Sequence, residues 1–332
     1  MQTVFNWGVI GPGQIAHKFA AAVAAVDNAR IISVGGRNPE RVGAFADRYG
    51  VKKRYDSYAQ VACDDDVDAV YVATTHPCHL ENILDCLRNK KPVLCEKPLA
   101  MNHRQAEKAI ACARENNVFL MEAMWTRFLP IYENVGQWIA EGTLGEIHLL
   151  QADFGFANHN WGPDERHISL AQGGGALLDL GIYNIMLAFS IFGCTPASVE
   201  SICHKGQTGV DMKNVLLLDY PDDRLAVLTS AFDARTSQQA VICGTEGYIV
   251  IPEYWKASKA FLHMGGQLTQ TATRPFIQNG YEYEIMEVMN CVRAGKRESE
   301  RAPLSHTLAA AKMMTELRMK WGVMFPGEEE LS

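Results

Sequence analysis

The chain has 332 residues, 48% of them hydrophobic and 21% charged, enough for about two domains whose cores need no disulfide or metal staples. Lys and Arg number 31 against 38 Asp and Glu, a net charge of −7, so sequence-independent nucleic-acid binding is disfavoured. Disordered, fibrous and mini-protein classes are excluded by the same composition. The nine cysteines are scattered singly, with no CxxC. A zinc ribbon or thioredoxin-type site is therefore unsupported, and reduced thiols in a cytoplasmic protein are expected. The opening MQTVFNWGVIG has neither the basic region nor the cleavage site of a secretory signal.

Apolar runs at 7–10, 31–34, 69–73, 92–95 and 119–122 read as buried strands. Amphipathic stretches at 15–26, 39–49, 80–88 and 105–116 read as the helices between them. Pro39 suits a first helical turn. The alternation predicts βαβ units with right-handed crossovers, hence a Rossmann-like, doubly wound α/β domain over residues 1–123. The pattern then changes. A helix at 129–140 leads to a strand at 147–156, and another helix follows Gly173-Gly174-Gly175. Extended segments at 197–203, 214–220, 225–232, 240–243 and 248–251 arrive without helices between them, and helices at 281–293 and 306–321 close the chain. These predict an α+β domain over 124–332 with an open, largely antiparallel sheet. The apolar stretch 176–192 contains Asp179, Tyr183 and Asn184. It is short for a membrane span and reads as a buried helix. Glu328 to Glu330 read as a solvated acidic tail.

Gly11-Pro12-Gly13-Gln14-Ile15-Ala16 is a G-x-G-x-x-A sequence placed after a strand and before a helix. Gly11 permits the tight turn, Gly13 lets the backbone approach a pyrophosphate, and Ala16 allows close helix–strand packing. Gln14 and Ile15 open a helix whose free N–H groups face negative charge. At the end of the second strand, where an NAD site places an acid, the chain has Gly35-Gly36-Arg37-Asn38, with Arg41 one turn on. A guanidinium takes two phosphate oxygens at once, so Arg37 and Arg41 point to NADP ahead of NAD. Two more loops follow strand ends: Thr74, Thr75, His76 and His79 in one, Glu96 and Lys97 in the other. Ligands sit at such ends in open α/β sheets.

Asp179 and Tyr183, at i and i+4, share one helix face. By residue type alone the pair is either a structural hydrogen bond or a reactive pair. With the glycine loop, Glu96-Lys97-Pro98 and the stretch from Gly173 to Tyr183, the chain resembles the Gfo/Idh/MocA oxidoreductases. Within them, the segments 75–79 and 121–128 are most similar to the branch of dimeric dihydrodiol dehydrogenases and NADP-dependent D-xylose 1-dehydrogenases. The resemblance implies that Lys97 and Tyr183 are catalytic with Asp179 beside them, and that Trp125 and Arg127 lie near nicotinamide or substrate. Inositol dehydrogenases of the family carry His where this chain has Tyr183, which fits the Tyr-bearing branch. It also supports a homodimer or larger homo-oligomer, with an open sheet face too apolar to leave in water.

Alcohol oxidation needs a hydride acceptor and a proton acceptor. A free Tyr, with a pKa of about 10, is a poor base at neutral pH. An ammonium such as Lys97 favours the phenolate, so Tyr183 suits the proton-transfer role, and Lys97 suits stabilising alkoxide charge. A desolvated Lys97 would serve as base instead. Arg166 and His167, in the loop before this helix, are within reach of a substrate. Phe154, Phe156, Trp161, Trp255 and Phe276 are candidate pocket walls or core. His159 and His167 lack metal-ligand spacing, and no metal is expected. The leading expectation is an NADP-dependent dehydrogenase acting on CH–OH groups of a sugar or cyclic diol. A non-enzymatic NADP sensor, or a sugar-modifying enzyme using the nicotinamide transiently, stands as the alternative.

Overall fold

The computed structural model describes residues 3–158, 160–162, 165–193 and 195–331. The chain forms two compact units, Met1–Phe128 with Phe276–Ala311, and Leu129–Pro275 with Lys312–Ser332.

The first unit holds six parallel strands: β1 (Phe5–Ile10), β2 (Ala29–Gly35), β3 (Lys53–Tyr55), β4 (Ala69–Val72), β5 (Val93–Glu96) and β6 (Leu120–Ala123). Their order is β3-β2-β1-β4-β5-β6. The order reverses between β1 and β4, and ligands bind outside the carboxyl ends of strands at such a switch. Helices α1 (Gln14–Val23), α2 (Pro39–Tyr49), α3 (Tyr58–Ala62), α4 (His79–Arg88) and α5 (His103–Asn116) connect the strands. Local chemistry sets several boundaries. Asn38 accepts the Arg41 N–H at 2.9 Å and Asn102 accepts the Gln105 N–H at 3.0 Å, each capping a helix start. The doubly wound α/β prediction is borne out. β3 and α3 were not predicted: Lys53-Arg54-Tyr55 is a polar edge strand, and five residues are too few to display a helical period.

Phe276–Ala311 packs in this unit, whereas the sequence reading grouped it with everything after residue 123. Periodicity identifies its helices, α8 (Glu282–Arg293) and the start of α9 (Leu304–Trp321), but not their partners. The Leu120 N–H of edge strand β6 donates to Arg297 O at 3.1 Å, and Leu304 joins the core that contains Leu99. The fully buried Glu282 carboxylate accepts the N–H groups of Gln278, Asn279 and Gly280 at 3.0, 3.1 and 2.8 Å, which fixes the turn into α8.

The second unit contains α6 (Ile131–Ala140), α7 (Ile182–Phe192) and an eight-stranded sheet. Its strands are β7 (Ile147–Gly155), β8 (Ser198–Lys205), β9 (Asp211–Tyr220), β10 (Arg224–Ala231), β11 (Gln239–Gly244), β12 (Gly247–Pro252), β13 (Lys259–Met264) and β14 (Gln267–Thr273). The order is β14-β13-β12-β11-β7-β10-β9-β8. Among the described residues only β7 and β10 of this sheet pair in parallel, so it is largely antiparallel as expected. The β13–β14 hairpin escaped prediction because β14 is polar and exposed on both faces over most of its length. Its turn is Gly265-Gly266, with φ of 56° and 79°. The helical run Leu170–Phe192 is long and apolar enough to cross a membrane, but 89% of its apolar 18-residue window is buried inside the protein.

The acidic end is not a free tail. Glu328 is buried and its carboxylate takes Arg318 Nη1 at 2.8 Å and Nη2 at 3.0 Å. Arg318 is itself fully buried, with its guanidinium 4.0 Å from the centre of the Phe325 ring. A buried guanidinium requires such a bidentate partner, and this requirement draws Glu328 inside.

Candidate active site

The segments after the carboxyl ends of β1, β2, β4, β5 and β6 carry the candidate cofactor-binding residues and Lys97. Gly11, after β1, has φ of 86° and lies so close to Ala73 that a Cβ would stand 3.0 Å from its carbonyl oxygen. Only glycine suits both conditions. Gly13 differs: it caps the start of α1 without a side-chain acceptor, and a Cβ there would meet nothing within 4 Å. The backbone at Gly13, Gln14 and Ile15 is thus a cradle that a side chain would fill, which fits a pyrophosphate at a helix N-terminus. Arg37 and Arg41 are exposed after β2, and the Arg37 guanidinium lies 5.9 Å from the centre of the Tyr58 ring.

In the loop after β4, Thr74 and Thr75 are half-buried and His76 is buried. His79 is completely buried, with Nδ1 2.9 Å from Pro98 O and Nε2 3.0 Å from Thr74 O. Burial pushes its pKa down. Each ring nitrogen faces a main-chain carbonyl oxygen, and a ring with one N–H donates to one of them, so His79 ties the β4 loop to the β5 loop. Glu96 is likewise engaged: the Tyr71 hydroxyl donates to one oxygen, and the Lys97 N–H to the other at 3.3 Å. Lys97 is half-buried at the rim, and the Lys97–Pro98 peptide bond is cis.

The sequence reading assigned no role to Glu122. It is buried at the end of β6 and accepts the Leu99 N–H and the Thr307 hydroxyl, both at 2.8 Å. Burial pushes this carboxyl up, against the pull of those two donors and of Arg127 and Lys97. Glu122 braces the segment that follows Lys97. Arg127 donates from both terminal nitrogens to His306 Nδ1 at 3.1 Å, and burial lowers its pKa to about 10. Trp125 stacks on Tyr281 with centroids 4.7 Å apart and planes at 17°. The only hint of these partners was polar or aromatic residues on otherwise apolar stretches.

In the second unit, Asp179 lies in a π-helical turn, Leu177–Gly181, and Tyr183 is the second residue of α7. The ideal i, i+4 α-helical relation expected between them is interrupted, because a π turn widens the helix locally. Both side chains are nearly buried, and Tyr183 meets Phe154 edge-on at 5.6 Å. Arg166 Nη1 is 3.6 Å from Asp179 Oδ1, and His167 Nε2 is 3.9 Å from Asp179 Oδ2. Phe154 also stacks on Trp255 at 4.8 Å, while Trp161 and Phe156 group with Phe232. Phe276 belongs to the first unit. His159 lies outside the described residues. Among the described residues no group of His, Cys, Asp and Glu is arranged to hold a metal.

Buried polar groups unforeseen from the sequence hold this helix. Asn184 Nδ2 donates to Thr229 O at 3.0 Å and Ser230 Oγ at 3.2 Å, and its oxygen accepts the Tyr254 hydroxyl at 2.6 Å. Asp211 accepts the Leu177 N–H at 2.7 Å and Asn214 Nδ2 at 3.0 Å. The triple glycine serves three separate needs. Gly173 and Gly175 have φ of 68° and 124°. A Cβ at Gly174 would stand 2.7 Å from His167 O, and one at Gly175 would overlap Asp211 Oδ1.

The fold and its loops define a nucleotide-binding oxidoreductase class, and the comparisons agree. Residues 5–124 match the family described as "Oxidoreductase family, NAD-binding Rossmann fold", and residues 132–250 match the "GFO/IDH/MocA C-terminal domain". The chain belongs to the Gfo/Idh/MocA oxidoreductase family. It is 36% identical over 331 residues to the trans-1,2-dihydrobenzene-1,2-diol dehydrogenase of Xenopus tropicalis, covering 97% of this chain and 99% of that one. The human enzyme of that name is 32% identical, covering 98% and 99%. A 3-ketoreductase from Actinomadura kijaniata, solved with NADP and TDP-benzene, superposes with a TM-score of 0.84 at 27% identity over 95% of this chain and 97% of its own. It has also been solved as lysine-to-alanine and tyrosine-to-phenylalanine variants.

Proposed function

We propose that this chain is an NADP-dependent dehydrogenase that oxidises a CH–OH group of a sugar or cyclic diol, or reduces the corresponding carbonyl. The observation that carries the proposal is that Lys97 stands on the same rim of the parallel sheet as the Gly11–Gly13 loop, at the carboxyl ends of β5 and β1. The dihydrodiol dehydrogenases and the NADP-bound ketoreductase support the substrate class and the cofactor. When bound, NADP supplies the hydride acceptor. Gly11, Gly13, Gln14 and Ile15 hold its pyrophosphate, Arg37 and Arg41 its 2′-phosphate, and Thr74, Thr75, His76, Trp125 and Arg127 the ribose and nicotinamide end. His79 and Glu96 keep those loops in register.

Lys97, Tyr183 and Asp179 are the residues that carry the chemistry in this reading. Tyr183 accepts the hydroxyl proton in oxidation and donates it in reduction. Lys97 stabilises charge on the substrate oxygen and favours the phenolate. Asp179 and Arg166 orient the substrate. The lysine and tyrosine variants of the ketoreductase concern residues of the same two types. The first unit serves as the dinucleotide domain and the second as the substrate domain. A homodimer belongs to the same proposal: the exposed residues Ile202, Val215, Leu217 and Leu225 of β8, β9 and β10 are apolar, and such patches mark interfaces. A cytoplasmic location is supported by the eight described cysteines, all free thiols.

A screen of aldoses and cyclic diols with NADP and with NAD, read by cofactor absorbance, tests the activity. NADPH is expected to form faster than NADH, and Arg37→Asp is expected to reverse that preference. No turnover of either cofactor on any alcohol would refute the reading. A strict NAD preference in the wild type would refute the role of Arg37. Light scattering at micromolar concentration should give the dimer mass, and a monomer mass would refute that part.

A further inference from the structure

We propose that Glu165, His167 and Asp179 form a proton relay, which carries the proton released in alcohol oxidation from the reacting hydroxyl out to solvent. The inference rests on the dehydrogenase reading above and adds an exit route to it. His167 Nδ1 lies 3.0 Å from Glu165 Oε1, and Nε2 on the opposite side of the ring lies 3.9 Å from Asp179 Oδ2. Side-chain exposure rises along this line, from 11% at Asp179 to 19% at His167 and 41% at Glu165. The line therefore runs from a nearly buried acid to an acid in contact with water.

The ring is held in the orientation that such a line needs. Trp161 stacks on it, with centroids 4.5 Å apart and planes at 3°, and Phe232 meets it edge-on at 5.8 Å. The loop is clamped to the start of the helical run bearing Asp179: Gly175 N–H donates to His167 O at 2.8 Å, and Gly174 leaves no room for a Cβ beside Arg166 O and His167 O. Among the charged groups, Arg166, Asp179 and Glu165 act on the ring. Burial, then Arg166, push the His167 pKa down against the pull of the two acids. A neutral ring that donates Nδ1–H to Glu165 presents a lone pair at Nε2 toward Asp179.

With NADP bound to accept the hydride, the hydroxyl proton taken up by Tyr183 is the one the relay carries, entering at its buried end, Asp179. Asp179 gives a proton to Nε2 while the Nδ1 proton passes to Glu165, which releases it to water. The 3.9 Å step is longer than a hydrogen bond, so the transfer requires the Asp179 carboxylate to approach Nε2 by about 1 Å. No oxidant beyond the nicotinamide is required. In reduction the same line delivers the proton inward.

The test uses the full-chain enzyme with NADP and the best alcohol of the screen, in weak buffer. NADPH absorbance follows hydride transfer and a pH indicator follows proton release, for the wild type, His167→Gln and Glu165→Gln. In the wild type the two signals should coincide. In His167→Gln, proton release and kcat should fall roughly tenfold or more. Added imidazole should restore both, with KM little changed; a merely structural loss would not respond to imidazole. Glu165→Gln should show the same response at smaller amplitude, and it checks the relay should His167→Gln fold poorly. Wild-type kcat in both variants, or losses indifferent to imidazole, would overturn the relay and leave the dehydrogenase standing. No NADPH from the wild type would overturn both.

Discussion

The two units hold their candidate reactive side chains by different means. In the first, Lys97 sits where a parallel strand ends, and the main chain does most of the holding. His79 spans two carbonyls, and Glu122 accepts a main-chain N–H. In the second, Asp179 and Tyr183 stand at a widened turn of a buried helix. Buried side chains from distant strands do the holding there, Asn184 against β10 and Asp211 from β9. A site at a sheet rim follows from topology and survives many side-chain changes. A site on a packed helix depends on each buried polar partner being satisfied.

The largest effects should come from the reactive groups themselves. Tyr183→Phe keeps the ring and is expected to lower kcat by about 10²–10⁴, the range for a lost general acid–base. Lys97→Met should cost at least as much. The double variant should lose less than the product of the single losses, because the residues act as a unit. Rates across pH on one substrate check all three. Full activity in both single variants would place the chemistry elsewhere.

The next effect distinguishes the two modes of holding. Asn184→Leu leaves the Tyr254 hydroxyl, Thr229 O and Ser230 Oγ without their partner. Unfolding in denaturant should show a loss of about 2–6 kcal/mol, from ~1–3 kcal/mol for each of the two buried hydroxyls. Glu122→Gln keeps an acceptor for the Leu99 N–H, so a smaller loss is expected. Equal losses would mean that the two units are held alike.

Gly13→Val tests the rim directly. A Cβ at Gly13 meets no protein atom within 4 Å, so the fold should be unaffected. NADP affinity should fall about ten- to a hundredfold, as a clash of ~1–3 kcal/mol implies. Calorimetry reads the affinity, and an unchanged value would make the turn purely structural.

The smallest effect is a pH slope in the second unit. Burial raises the Asp211 pKa from 3.8 to about 7, against the pull of the Leu177 N–H and Asn214. The folded chain keeps this proton to higher pH than the unfolded chain. Asp211 therefore makes stability fall as pH rises from about 4 to about 7, with no further change above. Asp211→Asn should flatten that segment of a Tm-against-pH curve. An unaltered slope would show that Asp211 ionises freely in the fold.

Local patterns in the chain are enough to specify the first unit's architecture and its cofactor loop. Strand and helix periods, Gly11, Gly13 and Pro39 are local features, and parallel topology carries them to one rim. The antiparallel character of the second sheet was also legible, because strands followed one another without helices. What those features pack against follows from long-range contacts. Glu328 reads as a solvated acid until the buried Arg318 is found beside it. His79 reads only as a loop residue near a cofactor until its ring is found set between Pro98 O and Thr74 O. Asp179 and Tyr183 read as α-helical neighbours until the π turn intervenes. In each case the deciding partner is remote in sequence or absent from the local pattern. Burial makes an unpaired polar group costly, so the fold selects partners by desolvation, and a residue-by-residue pattern does not encode that choice.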